Sequence, residues 1–213
     1  MVTNILVCIV CCIVAFFLGS IPCGVIVGKL FYGIDPRDSG SHSIGATNVN
    51  RTMGTKAGVG VMLLDMLKGA IAVGIARVVA GVLLGFEGGS FWYDLIVYAS
   101  VAFGVAGHIY SPWLGFKGGK GISTGFGTLC CADWRIGIGL VVVFLIFVII
   151  TRIVSVGSIC AALSVTVQGF LFHWPSISCI IPCIVISFIV VFAHRANIGR
   201  LIHGEEPKFA VKK

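Results

Sequence analysis

The sequence predicts an all-α polytopic membrane protein of about seven transmembrane helices, and three observations predict it. Of 213 residues, 58% are hydrophobic and 11% charged, against about 25% charged in a soluble domain. Mean hydropathy is +1.08. No Asp, Glu, Lys or Arg occurs from Met1 to Gly28 or from Ile153 to His194, and each stretch exceeds the roughly 20 apolar residues that cross a bilayer. No linker or low-complexity stretch divides the chain, so residues 1–213 are expected to form one integral membrane domain.

The first apolar run, residues 4–30, has no basic residue before its core (Ile5–Leu18) and no A-x-A site after it, so it reads as a retained span. Runs at 57–85 and 91–110 follow, both long enough to cross. The run at 121–132, GISTGFGTLCCA, is too short to cross alone at 1.5 Å per residue unless it extends into its flanks, and without it the count is six. Runs at 135–151, 154–172 and 177–194 complete the set. The last two are parted by HWPS (173–176), where proline and an interfacial Trp suit a turn. The nine cysteines are scattered through apolar segments and read as small buried hydrophobes. Cys8 and Cys11 make a C-x-x-C without a second ligand pair, so neither a metal nor a disulfide framework is expected.

Basic residues orient the runs. With the N-terminus outside and the C-terminus cytoplasmic, the inner segments collect Lys29, Arg37, Arg51, Lys56, Lys117, Lys120, Arg152, Arg195, Arg200, Lys208, Lys212 and Lys213, which is 12 of the 15 basic residues. Lys68 and Arg77 fall within the second run and Arg135 outside. The net charge of +7 is therefore concentrated on the cytoplasmic face, which also attracts anionic head groups of membrane lipid. No nucleic-acid partner is expected.

Three inner segments carry more polar chemistry than topology requires. The first is DPRDSGSHSIGATNVNRTMG (35–54). If a helix starts near Ala46, Asn48 and Arg51 are neighbours, and Thr47 and Asn48 lie at an N-terminus whose free N–H groups favour an anion. The second is GHIYSPWLGFKGGKGIST (107–124), centred on FKGGKG (116–121). Glycines let backbone N–H groups converge on one point and lysines add positive charge, so the loop suits a phosphate. It is not a Walker A loop, because Leu114 stands where a glycine is needed and Gly121 follows Lys120. The third is HRANIGRLIHGEE (194–206), in which His194, Asn197 and Arg200 share one helical face at the inner interface.

Within the second run, DMLKG (65–69) lets Asp65 and Lys68 pair at i, i+3, which lowers the cost of burying either. His42, His173 and His203 have no evident partner and read as loop or interface residues. The three inner segments together form one water-facing site at the cytoplasmic edge, suited to a phosphate head in water and an apolar part in lipid. A G-x-S-x-G elbow is missing, which disfavours a serine hydrolase. So is the H-x-x-x-x-D arrangement of many glycerolipid acyltransferases.

GSIP (19–22), GATNVNR (45–51), DMLKG (65–69), GHIYSPWLGFKGGKG (107–121) and HRANIGRLIHGEE (194–206) together resemble the bacterial acyl-phosphate:glycerol-3-phosphate acyltransferases, the PlsY family, in order and spacing from about residue 19 to 208. The resemblance implies a seven-span enzyme of the bacterial plasma membrane. It would move a fatty acyl group from acyl phosphate to the 1-hydroxyl of sn-glycerol 3-phosphate, giving lysophosphatidic acid and phosphate, the first committed acylation of phospholipid synthesis. It implies no metal or other cofactor, and neither acyl-CoA nor acyl carrier protein as donor. Carried over by position, Thr47, Gly118, Gly119 and Lys120 resemble the cradle of the acyl-phosphate group. Ser41, Asn48, Arg51, His194 and Asn197 resemble glycerol 3-phosphate contacts, and Lys68, His108, Lys117 and Glu206 match supporting positions. No side chain stands out as a nucleophile, so the glycerol hydroxyl attacks directly. Its proton goes to a substrate phosphate oxygen, as is proposed for the family, or to His108 or His194. One departure is His42-Ser43, where the family usually has Gly-Asn after the serine. The alternative reading is a transporter of an anionic phosphorylated metabolite, which would need a second polar cluster on the outer side.

Overall fold

In a computed structural model that describes residues 1–208, the chain is almost entirely helical. Lys212 and Lys213, counted above as inner basic residues, lie outside the described residues. The helices are α1 (Val2–Ser20), α2 (Cys23–Val27), α3 (Ala46–Met53), α4 (Thr55–Val78), α5 (Phe91–Ile109), α6 (Ile122–Ala132), α7 (Trp134–Thr151), α8 (Val154–His173), α9 (Ile177–Ala193) and α10 (Arg195–Ile202), with no strand among the described residues.

Five segments are long and apolar enough to cross a membrane: Val2–Tyr32, Thr55–Leu83, Phe91–Leu114, Trp134–Thr151 and Val154–His173. A sixth is formed if α9 and α10, bent by 58° at His194, count as one span. The fourth apolar run becomes α6, only 11 residues long, or roughly 16 Å of helix. Lipid-facing side chains such as Ile149 and Ile150 stand largely exposed, as befits a multi-pass membrane protein.

The first apolar run is not one helix. Pro22 has no N–H to donate and its ring crowds the preceding turn, so α1 stops at Ser20 and α2 restarts at Cys23. The break takes the Ile21 carbonyl out of the helical ladder, and it accepts a hydrogen bond from the Lys68 ammonium at 2.6 Å.

α1 packs along α5, α4 along α6, α7 on α8, and α9 against both α8 and α5. A methyl on Gly107 of α5 would collide with the Phe16 carbonyl of α1, so that crossing is a backbone-to-backbone approach, the small-residue packing that replaces hydrophobic drive inside a bilayer. The largest buried cluster joins Val97, Val101 and Val105 of α5 to Leu129, Ile136, Val165 and Ile186. At the end of the bundle away from the polar loops' cavity, His173 is not the lone interface residue its sequence context suggested. Its Nε2 lies 2.6 Å from the Tyr98 hydroxyl and 3.0 Å from Asp133 Oδ2, and Asp133 also pairs with Arg135 at 2.6 Å.

Candidate functional site

The first polar segment folds into a loop pinned at two points. Asp35 accepts hydrogen bonds from the Arg37 backbone N–H (3.0 Å) and from its guanidinium (2.9 and 2.7 Å), with Lys29 3.2 Å away. The Arg37 guanidinium, above all, holds the Asp35 carboxyl well below the usual carboxylate range. The second pin is Asn48, which is buried on α3. Its Oδ1 accepts from the Ser41 N–H at 2.7 Å, and its Nδ2 donates toward the carbonyls of Pro36 (2.7 Å), Ser43 (2.8 Å) and Ser39 (3.2 Å). The amide is thus engaged by its own loop, which gives Asn48 a shaping role, and Asn48 also lines the cavity. His42 occupies the left-handed region at φ +53° with its Nδ1 against the Arg37 carbonyl. The conformation that the family's usual glycine makes easy is therefore kept by a histidine.

α3 starts at Ala46, the condition on which the Asn48–Arg51 neighbourhood depended, with Gly45 as N-cap and no side chain capping it. Thr47 and Arg51 project from its first two turns into the same cavity as Ser41 and His42.

The GGKG loop works differently from the cradle its glycines suggested. The Gly118 and Gly119 N–H groups are consumed by the C-terminal carbonyls of α5: Gly118 donates to Ile109 at 2.9 Å and Gly119 to His108 at 3.0 Å. A methyl on Gly118 would strike the His108 carbonyl, and one on Gly119 would strike the His108 ring at Nε2. The glycines are there for close approach, and neither lines the cavity. Lys117 is exposed and also away from it. The loop is tied to the GSIP break by Ser111 Oγ, which donates to the Ser20 carbonyl at 2.7 Å, and by the Trp113 indole, which donates to Ser20 Oγ at 2.8 Å. Gly121, at φ +85°, turns the chain into α6, whose N-terminus carries no side-chain cap and opens on the cavity beside Lys120.

The convergence expected of the third segment holds with one change. His194, Asn197 and Arg200 all reach the cavity, but they do so across the 58° bend between α9 and α10, not along one straight helix. His194 is buried, with Nδ1 2.8 Å from the Val190 carbonyl. Glu206 closes the cavity, accepting from Asn197 Nδ2 at 2.6 Å and Arg200 Nε at 2.7 Å. Burial pulls its carboxyl upward, but these donors outweigh burial and leave it below the usual range. Burial also lowers the Lys120 ammonium, helped by Arg200 and Arg51 and opposed by Glu206.

The cavity has a volume of about 740 Å³ and two unlike ends. Its polar end holds Thr47, Arg51, His108, Lys120, His194 and Asn197; its apolar end holds Met62, Met66, Phe126, Leu140 and Phe144. A shallower apolar groove along α4 and α6 continues from Met66 and Phe126 past Leu67 and Ala70 to Cys130 and Cys131. Arg200 and Lys68 are paired with carboxylates, whereas Arg51 and Lys120 have none within 4 Å among the described residues. Asn197 Oδ1 and Ser155 Oγ are buried with no partner among the described residues. Ser155 and Ser158, at i, i+3 on α8, are cavity-lining residues that the sequence reading passed over.

Beside His108, the Asp65–Lys68 pair forms at 2.7 Å as the spacing predicted, off the angle of a hydrogen bond, and Asp65 itself lines the cavity. Lys68 does not line the cavity. It reaches His108 Nδ1 at 3.0 Å instead, with Asp65 Oδ1 3.6 Å from the same nitrogen.

A family model described as glycerol-3-phosphate acyltransferase matches residues 9–204. The glycerol-3-phosphate acyltransferase of Acaryochloris marina (strain MBIC 11017) is 39% identical over 207 residues, covering 94% of this chain and 92% of that protein. That of Anaeromyxobacter dehalogenans (strain 2CP-1 / ATCC BAA-258) is 39% identical over 194 residues, covering 91% and 92%. Two crystal structures of PlsY, an integral membrane glycerol 3-phosphate acyltransferase, superpose on it at 35% identity. The glycerol 3-phosphate form has a TM-score of 0.81, covering 95% of this chain and 96% of that one. The lysophosphatidic acid form has a TM-score of 0.79, covering 95% of each. The resemblance carried by the motifs is borne out.

Proposed function

Because the chain belongs to the glycerol-3-phosphate acyltransferase family, we propose that its acyl donor is acyl phosphate and that it works at the cytoplasmic face of a bacterial inner membrane. α6, with its flanks, serves as a seventh span, the N-terminus lies outside, and the reaction begins phospholipid synthesis. The observation that carries this reading is the single cavity with a cationic end and an apolar end. An acyl phosphate has that polarity, and so does lysophosphatidic acid. The solved relatives, described in glycerol 3-phosphate and lysophosphatidic acid forms, support the acceptor and the product.

Two helix N-termini, α3 and α6, meet the polar end, and each carries about half a positive charge. The α6 N-terminus with Lys120 and Thr47 holds the donor's phosphate. Arg51, Ser41, His194 and Asn197 hold glycerol 3-phosphate. The glycerol 1-hydroxyl oxygen attacks the acyl carbonyl carbon, the bond from that carbon to the phosphate oxygen breaks, and the hydroxyl proton passes to the departing phosphate. The mixed anhydride is already activated, so the protein's task is to align two anions and stabilise growing charge.

The experiment supplies purified protein in lipid with palmitoyl phosphate and labelled glycerol 3-phosphate, with palmitoyl-CoA in parallel. Metal-independent lysophosphatidic acid from the acyl phosphate alone, lost in Lys120→Ala and Arg51→Ala, is the expected result. Product from palmitoyl-CoA alone would overturn the donor assignment.

A further inference from the structure

We propose that Asp65 and Lys68 lock His108 in one tautomer, making it a fixed hydrogen-bond donor to a substrate oxygen and removing it as a candidate base; this rests on the acyl-transfer reading above. Lys68 is buried, and its ammonium donates to the Ile21 carbonyl at 2.6 Å and reaches His108 Nδ1 at 3.0 Å, while Asp65 Oδ1 pairs with it ionically at 2.7 Å. An ammonium has no lone pair to offer, so Nδ1 must accept. A neutral ring whose Nδ1 accepts carries its proton on Nε2. Adding a second proton would set an N–H against a buried ammonium.

The opposite tautomer would turn an Nδ1 proton toward Asp65 Oδ1, which lies 3.6 Å away, beyond hydrogen-bond distance. The Lys68 charge decides between the two. On the other side of the ring, a side chain at Gly119 would strike Nε2, which has no hydrogen-bond partner among the described residues. His108 lines the cavity beside Lys120, Gly121 and Ile122. Its N–H therefore joins the α6 N-terminus and Lys120 as a third donor at the phosphate end. A donor aimed before the reaction needs no reorganisation as negative charge grows.

His194 has the opposite polarity. Its Nδ1 faces the Val190 carbonyl, which can only accept, so Nδ1 carries the proton and Nε2 is bare. One histidine gives a hydrogen bond to the substrates and the other accepts one. Asp65 and Lys68 act through His108 and are positioning residues.

Nitrogen NMR on histidine-labelled protein in nanodiscs, with the His108 signals assigned from His108→Gln, reads the tautomer directly. The expected spectrum has His108 protonated at Nε2 and bare at Nδ1 across the neutral pH range, and Lys68→Met is expected to move the proton to Nδ1, facing Asp65. In the palmitoyl phosphate assay, His108→Gln places an amide donor near the same point but cannot take up a proton. It should keep kcat within about tenfold, while His108→Ala should lose about 10²–10³, the effect of deleting one such donor. A wild-type ring protonated at Nδ1, or a Gln variant as impaired as the Ala variant, overturns the proposal. The NMR reading does not depend on turnover: an Nε2-protonated ring in a protein that makes no product from palmitoyl phosphate upholds the lock and overturns the donor assignment alone.

Discussion

Replacing Asn48 by alanine tests whether the 35–45 loop is built by that side chain. Its Oδ1 takes one hydrogen from Ser41, and its Nδ2 supplies two hydrogens shared among three carbonyls. Three hydrogens are thus engaged, and at about 1 kcal/mol net for each the clip contributes about 3 kcal/mol. That is roughly 150-fold in the ratio of ordered to disordered loop. Because Ser41 and Arg51 flank the clip, the disordered loop lowers the apparent affinity for glycerol 3-phosphate by the fraction that remains competent. Asn48→Ala should therefore raise the KM for glycerol 3-phosphate by up to about 10²-fold and leave kcat at saturation within about threefold. Hydrogen exchange at the Ser41 amide should accelerate by a similar factor. Asn48→Asp should fare no better, since a carboxylate would face three carbonyls. A collapse in kcat/KM with wild-type exchange at Ser41 would refute the clip and make Asn48 a direct contact.

Other outcomes follow from neighbouring features. His42→Gly should stay within about twofold of wild-type kcat/KM, because glycine accepts φ +53° freely. His42→Val should lose about tenfold or more, since a branched residue there costs about 1–2 kcal/mol. The Lys120 ammonium, lowered chiefly by burial, loses its charge as pH rises through that lowered value. The alkaline limb of kcat/KM should therefore fall below the ordinary lysine range, and Lys120→Arg, which stays charged, should shift the limb upward. Ala70→Trp should block the far groove and slow palmitoyl phosphate more than a shorter donor, measured as a ratio of kcat/KM values. Asp133 is pulled upward by burial and more strongly downward by Arg135, so its carboxyl sits below the usual value. Its contribution to stability is present above the ordinary carboxylate range and is lost as pH falls through the depressed value. Asp133→Asn should lower the thermal midpoint at neutral pH and flatten its fall in acid.

Much of this architecture was legible in the sequence because bilayers demand long apolar runs, and the run at 91–110 becomes α5 at Phe91–Ile109. Hydropathy averages over a window, so it passed over the single proline that splits the first run. The Asp65–Lys68 pair was readable because it depends on spacing within one helix. The His173 network was not, because its partners Tyr98 and Asp133 are 75 and 40 residues away. FKGGKG was rightly singled out, but its glycines showed only that something approaches closely. Whether that was a phosphate or the carbonyls of α5 depends on tertiary docking. The convergence of His194, Asn197 and Arg200 looked like helical periodicity and is produced by a bend.

The groove that runs from Met66 and Phe126 to Cys131 lies on the flank of α4 and α6, beside the exposed side chains of Leu63 and Leu67. In the proposed reaction, one substrate would then arrive from a volume and the other from a surface. Glycerol 3-phosphate should saturate the enzyme as a molar concentration in the aqueous phase. The fatty donor should saturate it as a mole fraction among lipids, so that added inert phospholipid slows the reaction at fixed total donor. In the proposed reaction, the lysophosphatidic acid formed should remain in the same two-dimensional phase and compete with the next donor molecule by surface density.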